Sequence, residues 1–242
     1  MSNFQLLNPD QHKDFYVITE HGAEFGDAIR AVQTFPFEFR SVQGHYPIFF
    51  QKEPDTGEFQ CVALLGFEDG ENLFLNDDGW TRSYVPMMIK RQPFLIGFQT
   101  NAGSDEKKPV VTIDMDNPRV SREKGERLFL EHGGQSEFLQ ESIARLEYIH
   151  QAHQHANEFA KHLVALDLVE AFTLDVTLEN GSSNQLLGFY TINEDTLKGL
   201  SGDQFADLNE KGYLQPLFMM LASHSCIGEM ARLKAEKERQ SN

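Results

Sequence analysis

The strand pattern of this chain is clearest in GHYPIFFQKEPDTGEFQCVALLGFEDG, residues 44–70. Two apolar runs, at 46–51 and 59–67, stand on either side of the turn sequence EPDTG at 53–57. Short runs rich in aromatic and β-branched residues favour strands, and proline, aspartate and glycine between them favour a turn. The stretch therefore predicts two strands joined by a turn.

The rest of the N-terminal half repeats this pattern, and the C-terminal half changes to helical spacing. Further strands are predicted at 15–19, 72–75, 94–100 and 110–114, with an exposed loop at 101–109. Apolar residues then recur at helical spacing from about residue 136 to 168. Beyond this helix the pattern predicts a hairpin, with strands at 172–178 and 185–192, and helices at 194–200, 203–210 and 214–238.

Strands followed by helices indicate an α+β protein. The predicted architecture is a mixed, largely antiparallel sheet from the N-terminal half, packed against C-terminal helices, with one long helix near 136–168. Neither a Pro/Ser-rich linker nor an internal repeat is recognisable, so residues 1–242 are predicted to form a single domain. A soft boundary could lie near 118–136, and the charged tail from about 235 should fray.

Charge restricts the kinds of partner. The 21 Lys and Arg residues against 37 Asp and Glu residues give a formal net charge of -16. Such a field repels phosphate backbones and anionic lipid headgroups, so we predict no nucleic acid partner. The longest stretch with few charges, 214–227, is shorter than the roughly 18 residues that a spanning helix needs, so we predict no membrane insertion.

The N-terminus and the cysteines predict the compartment. The sequence MSNFQLLNPDQHKDF has neither the basic segment nor the apolar segment of a secretory signal. Cys61 and Cys226 are the two cysteines, far apart in sequence, and are interpreted as reduced thiols. We therefore expect a cytoplasmic protein.

Two groups of residues have a spacing that would allow metal binding. His155, Glu158 and His162 would lie on one side of the long helix. Asp114 and Asp116 form Asp-x-Asp at a strand end. A solvated helix face, and a strand end with Asp114 paired to a nearby arginine, Arg119, are the favoured interpretations.

Motifs for catalysis are absent from the sequence. There is no Gly-x-Ser-x-Gly, Walker, dinucleotide-binding or catalytic-cysteine motif. Catalytic residues therefore stay unassigned, and neither a cofactor nor a metal ion is predicted.

Special residues are concentrated in ENLFLNDDGWTRSYVPMMIKRQPF, residues 71–94, which we expect to form the central hairpin of the sheet and a short helix at 85–92. Its aromatic side chains each combine an apolar ring with a polar group, and its guanidinium groups can stack on rings or bind carboxylates. This mixture is typical of sites for small polar ligands, although the same side chains taken alone favour a purely structural role. The predicted ligand-binding residues, on one concave surface, are His45, Tyr46, Trp80, Tyr84 and Arg91.

Several ordered motifs resemble the SapC family of bacterial proteins. They are Asn8-Pro9 with His12-Lys13, HYPIFF at 45–50, VALLGFEDGENLFLNDDGW at 62–80, YVPMMIKRQPFLIGF at 84–98, VTIDMDNPRVSREKGERLF at 111–129 and GFYTINEDTLKGLSGDQFADLNEKGYLQPLFMMLASH at 188–224. The family is named from gene clusters for a surface-array protein and its export, and similar proteins are found near genes for outer-membrane receptors and halogenase-like enzymes. The resemblance implies a bacterial setting and carries over no catalytic residues.

The favoured interpretation is a SapC-like binding or accessory protein associated with surface-layer or outer-membrane transport systems. It would contact a peptide, a protein partner or a polar small molecule. The alternative is an enzyme that modifies a peptide or an amino acid, assisted by metal at Asp114 and Asp116 or at the helical histidines. A structural partner whose acidic surface docks on a basic protein is a third reading.

Overall fold

The structure, a computed structural model, describes residues 3–100, 107–177 and 183–241. The strands in these ranges are β1 (Phe4–Leu6), β2 (Tyr16–Val17), β3 (Ala31–Gln33), β4 (Ile48–Lys52), β5 (Phe59–Leu64), β6 (Leu75–Asn76), β7 (Gly79–Trp80), β8 (Phe94–Thr100), β9 (Lys107–Asp114), β10 (Val120–Ser121), β11 (Glu126–Arg127), β12 (Val169–Thr177) and β13 (Ser183–Ile192). The helices are α1 (Pro9–His12), α2 (Phe39–Val42), α3 (Met87–Lys90), α4 (Glu137–Ala165), α5 (Glu194–Lys198), α6 (Gly202–Glu210), α7 (Leu214–Ser223) and α8 (Ile227–Ser241). The predicted α+β class and the long helix are confirmed.

A five-stranded antiparallel sheet in the order β12-β13-β4-β5-β3 forms the centre of the fold. The predicted strands at 46–51 and 59–67 are β4 and β5, paired with Phe50 opposite Cys61. The C-terminal hairpin β12–β13 adds to the free side of β4, so the sheet takes strands from both halves of the chain. Sequence pattern marks each strand but not which strands become neighbours.

The central sheet is covered on both faces, which explains why Ile48, Phe49 and Phe50 are all buried. On one face, the Phe50 ring lies 6.0 Å from the ring of Phe159 on α4. On the other face, the Phe49 ring stacks at 4.7 Å on His224, which follows α7. The fold at this point is therefore helix, sheet and helix.

Helix α4 also packs on a second, smaller core. This core lies beside the sheet β1-β9-β8, and Leu139 and Leu146 of α4 are buried in it. The helix begins where the Ser136 hydroxyl accepts a hydrogen bond from the Leu139 N–H at 3.1 Å. With 29 residues, the helix is about 44 Å long and reaches both cores.

Segment 71–94 differs from its expected place in the sheet. Strands β6 and β7 form a separate two-stranded ribbon, so the prediction of the central hairpin was wrong. Its strands have only two residues each, because Asp77 and Asp78 turn the chain between them. Gly79 has φ +106°, and a Cβ there would lie 3.3 Å from the His21 carbonyl oxygen, so the close approach needs glycine. The short helix after Pro86 is confirmed as α3.

The predicted helix at 214–238 is interrupted. Helix α7 ends at Ser223, a 3₁₀ turn covers His224–Cys226, and α8 follows. The Ser223 hydroxyl donates to the Met220 carbonyl at 2.5 Å and accepts from the Ile48 N–H at 2.8 Å. The side chain of Ser223 thus ties the end of α7 to β4, which the helical spacing could not show.

A predicted loop and a predicted hairpin turn lie partly in strands and partly outside the described residues. Residues 107–109 of the expected loop belong to β9, and residues 101–106 lie outside the described residues. Residues 183–184 of the predicted hairpin turn at 179–184 belong to β13, and residues 179–182 lie outside the described residues. No helix in the described ranges combines the length and the apolar character needed to cross a membrane.

Candidate functional site

Three of the predicted ligand residues meet in a hydrogen-bonded group, the tyrosine hub, formed by Tyr46, Trp80 and Tyr84. Tyr46 is fully buried. Its hydroxyl accepts a hydrogen bond from Trp80 Nε1 at 2.8 Å and donates one to the Tyr84 carbonyl. The hub therefore holds the indole of β7 in one orientation. Burial raises the pKa of the Tyr46 hydroxyl.

His45 and Arg91, the other two predicted ligand residues, lie outside the tyrosine hub. His45 Nε2 lies 3.3 Å from the Ser83 hydroxyl, at the edge of the hub. Arg91 Nη1 donates to the Phe94 carbonyl at 2.9 Å, and burial lowers the pKa of its guanidinium. In the described part of the chain, no hydrogen bond, ion pair or ring contact joins Arg91 to the other four residues. The structure thus brings together four of the five predicted residues.

A buried carboxylate behind the hub, Glu38, is not apparent from the sequence. Glu38 is 2% exposed and accepts hydrogen bonds from the Tyr84 hydroxyl at 2.8 Å and from the Met87 N–H at 2.7 Å. Burial raises its pKa, although these hydrogen bonds act in the opposite direction. The carboxylate ties α2 to the beginning of α3 and thereby fixes Tyr84. A single glutamate between two phenylalanines gives no sign of this role in the sequence.

Replacing Tyr46 by phenylalanine should lower the free energy of unfolding by about 1–3 kcal/mol, because the substitution leaves the Trp80 N–H without its acceptor. Urea unfolding followed by the fluorescence of Trp80, the single tryptophan, measures this loss. Tyr148→Phe is the matched control, because Tyr148 is 46% exposed. Equal stability of the two variants would show that the hydrogen bonds of the Tyr46 hydroxyl do not stabilise the folded protein.

A cleft of about 470 Å³ opens beside the indole of Trp80 and is here named the indole cleft. Its volume is in the range of sites for small ligands. The lining comprises Glu20, His21, Glu24, Phe25, Asp77, Asp78, Gly79, Trp80, Arg82 and Val85. Of the five predicted ligand residues, Trp80 lines the indole cleft and the other four do not, so this cleft is not the common concave surface that was predicted.

A wider groove of about 900 Å³, here named the outer groove, reaches α8. Four residues, His21, Glu24, Asp77 and Arg82, line both the groove and the indole cleft. Arg82 Nη2 forms an ion pair with Glu229 of α8 at 2.8 Å, which ties α8 to the segment after β7. The two concave surfaces are thus contiguous at these four residues.

Beneath the cleft lies a buried ion pair that the sequence did not reveal. Asp27 is fully buried, and Arg119 is 2% exposed. Arg119 Nη2 lies 2.8 Å and 2.6 Å from the two carboxylate oxygens of Asp27. Arg119 Nη1 donates to the carbonyl oxygens of Ile18 and Glu20 at 3.1 Å and 2.5 Å. The arginine therefore fixes the segment that leads to His21.

His21 completes this group. Its Nδ1 lies 3.0 Å from Asp27 Oδ2, and its ring meets the Trp80 indole edge-on at 5.5 Å. Burial raises the pKa of Asp27, but the hydrogen bonds from His21 and Arg119 outweigh it and hold the pKa below its ordinary value. Arg119 lies 92 residues from Asp27 and 98 residues from His21 in the sequence, so no local motif could have identified the group.

The residues with metal-like spacing have other partners. Asp114 Oδ1 accepts from the backbone N–H groups of Asn3 at 2.9 Å and Asp116 at 3.2 Å, so Arg119 is not the partner of Asp114. His162 Nε2 lies 2.8 Å from Asp207 Oδ2. The rings of His155 and His162 each lie 5.5 Å from the ring of Tyr213. Within the described ranges, no three His, Cys, Asp or Glu residues are arranged to hold a metal ion.

Comparison with known proteins gives one match. No curated protein and no solved structure matches the chain. The model of the SapC family matches residues 7–230, which is nearly the whole chain. The chain therefore belongs to the SapC family.

Proposed function

We propose that this chain is a binding protein that holds a basic group of a peptide or a polar small molecule in the indole cleft. The observation that carries the proposal is an oriented indole that lies beside carboxylates for which the described part of the chain supplies no ion-pair partner. Glu24, Asp77 and Asp78 are exposed at the cleft, and none of them forms an ion pair within the described residues. A ligand with an ammonium or guanidinium group would supply the missing counter-charge.

The indole is suited to a cation for a second reason. Trp80 uses its N–H for the bond to Tyr46, so its ring, which is partly buried, is what it presents to the cleft. Tryptophan gives the strongest cation–π attraction of the aromatic side chains. The neighbouring Phe25 ring already packs against a cation, with the Arg119 guanidinium 5.3 Å from its centre.

The predicted ligand residues take different parts in this proposal. Trp80 would contact the ligand, and Tyr46 and Tyr84 would keep the indole in place. Ligand contact through His45 and Arg91 stays a prediction.

The biological setting that we propose is a cytoplasmic accessory protein of a bacterial surface-layer or outer-membrane transport system. The support for this setting is the family resemblance. The net charge of -16 supports a basic segment of a peptide or partner protein as the ligand.

Binding of a tetralysine peptide, followed by the fluorescence of Trp80, tests the proposal. Because the chain contains a single tryptophan, the signal reports on the cleft. The double substitution Asp77→Asn and Asp78→Asn should raise the Kd about tenfold, because it removes two weak, solvent-screened ion pairs. High salt should weaken binding by the wild type in the same way.

The matched control is the double substitution Asp10→Asn and Asp14→Asn. It removes the same charge from exposed positions that do not line the cleft. If both double variants bind tetralysine equally, the attraction is due to net charge and the proposed site is wrong. Absence of any fluorescence response in the wild type would also contradict the proposal.

A further inference from the structure

His21 is held in a defined position beside the cleft by contacts on two sides of its ring. Its Nδ1 faces the fully buried carboxylate of Asp27 at 3.0 Å, and its edge contact with Trp80 fixes the plane of the ring. Asp27 is itself held by Arg119 and by the Gly22 N–H, which donates to Oδ2 at 3.1 Å. The imidazole is thus oriented by groups that cannot rotate freely.

The arrangement determines which ring nitrogen carries the proton. Arg119 Nη2 also approaches His21 Nδ1, but at 3.4 Å, and it is already bonded to both oxygens of Asp27. The carboxylate oxygen at 3.0 Å accepts only, so Nδ1 is the donor in the shorter contact. The neutral imidazole therefore has its free electron pair on Nε2.

His21 lines the cleft with a side chain that is 20% exposed. Among the described residues its Nε2 has no hydrogen-bond partner, and unlike Nε2 of His12 it is not a buried atom without a partner. His21 lines both the indole cleft and the outer groove, together with Arg82. A proton acceptor and a cation thus lie on the same concave surface.

We propose that His21 is a general base of this cleft, which activates water for the hydrolysis of an ester of a basic substrate. Nε2 takes a proton from water while the water oxygen bonds to the carbonyl carbon, and the carbonyl electron pair moves to the carbonyl oxygen, which becomes an oxyanion. The oxyanion electron pair then re-forms the carbonyl bond while the bond from carbon to the leaving oxygen breaks with its electron pair, and an alkoxide leaving oxygen takes the proton from Nε2. The Nδ1 proton stays on His21 and is donated to Asp27 throughout, and the carboxylate stabilises the transient imidazolium. The preference for a basic substrate rests on the proposed function, whereas the role of His21 does not.

The probe is Nα-acetyl-lysine p-nitrophenyl ester, whose leaving group departs as p-nitrophenolate, the signal, so that Nε2 returns its proton to solvent. His21→Gln should lower kcat/KM by about a hundredfold, within the range for removing a general base. His132→Gln is the matched control, because His132 is an exposed histidine elsewhere in the chain and its substitution should leave the rate unchanged. Circular dichroism confirms that the variants are folded. The proposal is overturned if the wild type and His21→Gln hydrolyse the ester equally, or if an acetyl-lysyl group accumulates on His21 in mass spectra.

A second measurement needs no turnover. Diethylpyrocarbonate acylates unprotonated imidazole nitrogens, and peptide mass mapping should find His21 modified, although more slowly than the exposed His132, because the His21 side chain is 20% exposed. Protection of His21 would show that Nε2 is closed to the cleft and would overturn the proposal.

The corresponding norleucine ester separates the two proposals. It lacks the side-chain amine, so a preference for the lysine ester depends on the carboxylates of the cleft. If the wild type hydrolyses the lysine and norleucine esters equally and His21→Gln hydrolyses neither, the general base is supported and the cation site is contradicted. If His21→Gln hydrolyses both esters at the wild-type rates and still prefers the lysine ester, the cation site is supported and the general base is contradicted.

Discussion

Asparagine in place of Asp27 should lower the free energy of unfolding by about 3–5 kcal/mol, measured by urea unfolding at neutral pH. The substitution preserves the shape of the side chain but leaves the guanidinium of Arg119 buried without its counter-charge. Arg119 is 2% exposed, so water cannot replace the lost carboxylate. Breaking a buried pair on one side leaves an uncompensated charge, which is more costly than never forming the pair.

Asp69→Asn is the matched control. Asp69 pairs with Arg30 at 3.3 Å, but the side chain of Asp69 is 90% exposed. A surface pair of this kind contributes about 0–1 kcal/mol, so the control variant should be nearly as stable as the wild type. Comparable losses in both variants would mean that Arg119 is not buried as described.

The pH dependence of the Asp27→Asn effect has a definite sign. Folding lowers the pKa of Asp27 below its ordinary value of 3.8, so the unfolded chain binds the proton more tightly. The stability contributed by the carboxylate is fully present above that ordinary value and is lost as the pH falls through the lower folded pKa. The difference between wild type and variant should therefore shrink in acid.

The sequence predicted the elements of this fold better than their arrangement. The runs at 46–51 and 59–67 became β4 and β5 because adjacent strands joined by a short turn need only local information. The pairing of β13 with β4 joins residues about 140 positions apart, and a single sequence carries no signal for it. The ribbon β6–β7 was misplaced for the same reason.

Only part of the candidate site could be predicted from the sequence. Trp80 and Tyr84 were noticed because aromatic residues with polar groups are unusual in so short a segment. His21 and Asp27 were not, since a histidine six positions before an aspartate is an ordinary pattern. Their arrangement depends on the ion pair with Arg119, which lies 92 residues after Asp27 in the sequence. Chemistry that comes from long-range contacts is visible only in three dimensions.

The packing of α4 on the central sheet depends on one fully buried ring, that of Phe159. Its ring centre lies 6.0 Å from that of Phe50, 6.4 Å from that of Phe39 and 5.4 Å from that of Tyr213. The ring therefore joins strand β4, helix α2, helix α4 and the residue that precedes α7. Close-packed neighbours on every side cannot collapse fully into a vacated space.

Phe159→Ala should consequently cost about 3–5 kcal/mol of unfolding free energy, the sum of lost burial and the cavity that remains. Phe218→Ala removes the same atoms from α7 at a side chain that is 48% exposed, and should cost about 1 kcal/mol or less. Urea unfolding of both variants, with leucine at 159 as an intermediate case, measures the contrast. Similar midpoints for the two alanine variants would place Phe159 outside the core, and helix α4 would then have to meet the sheet through other residues.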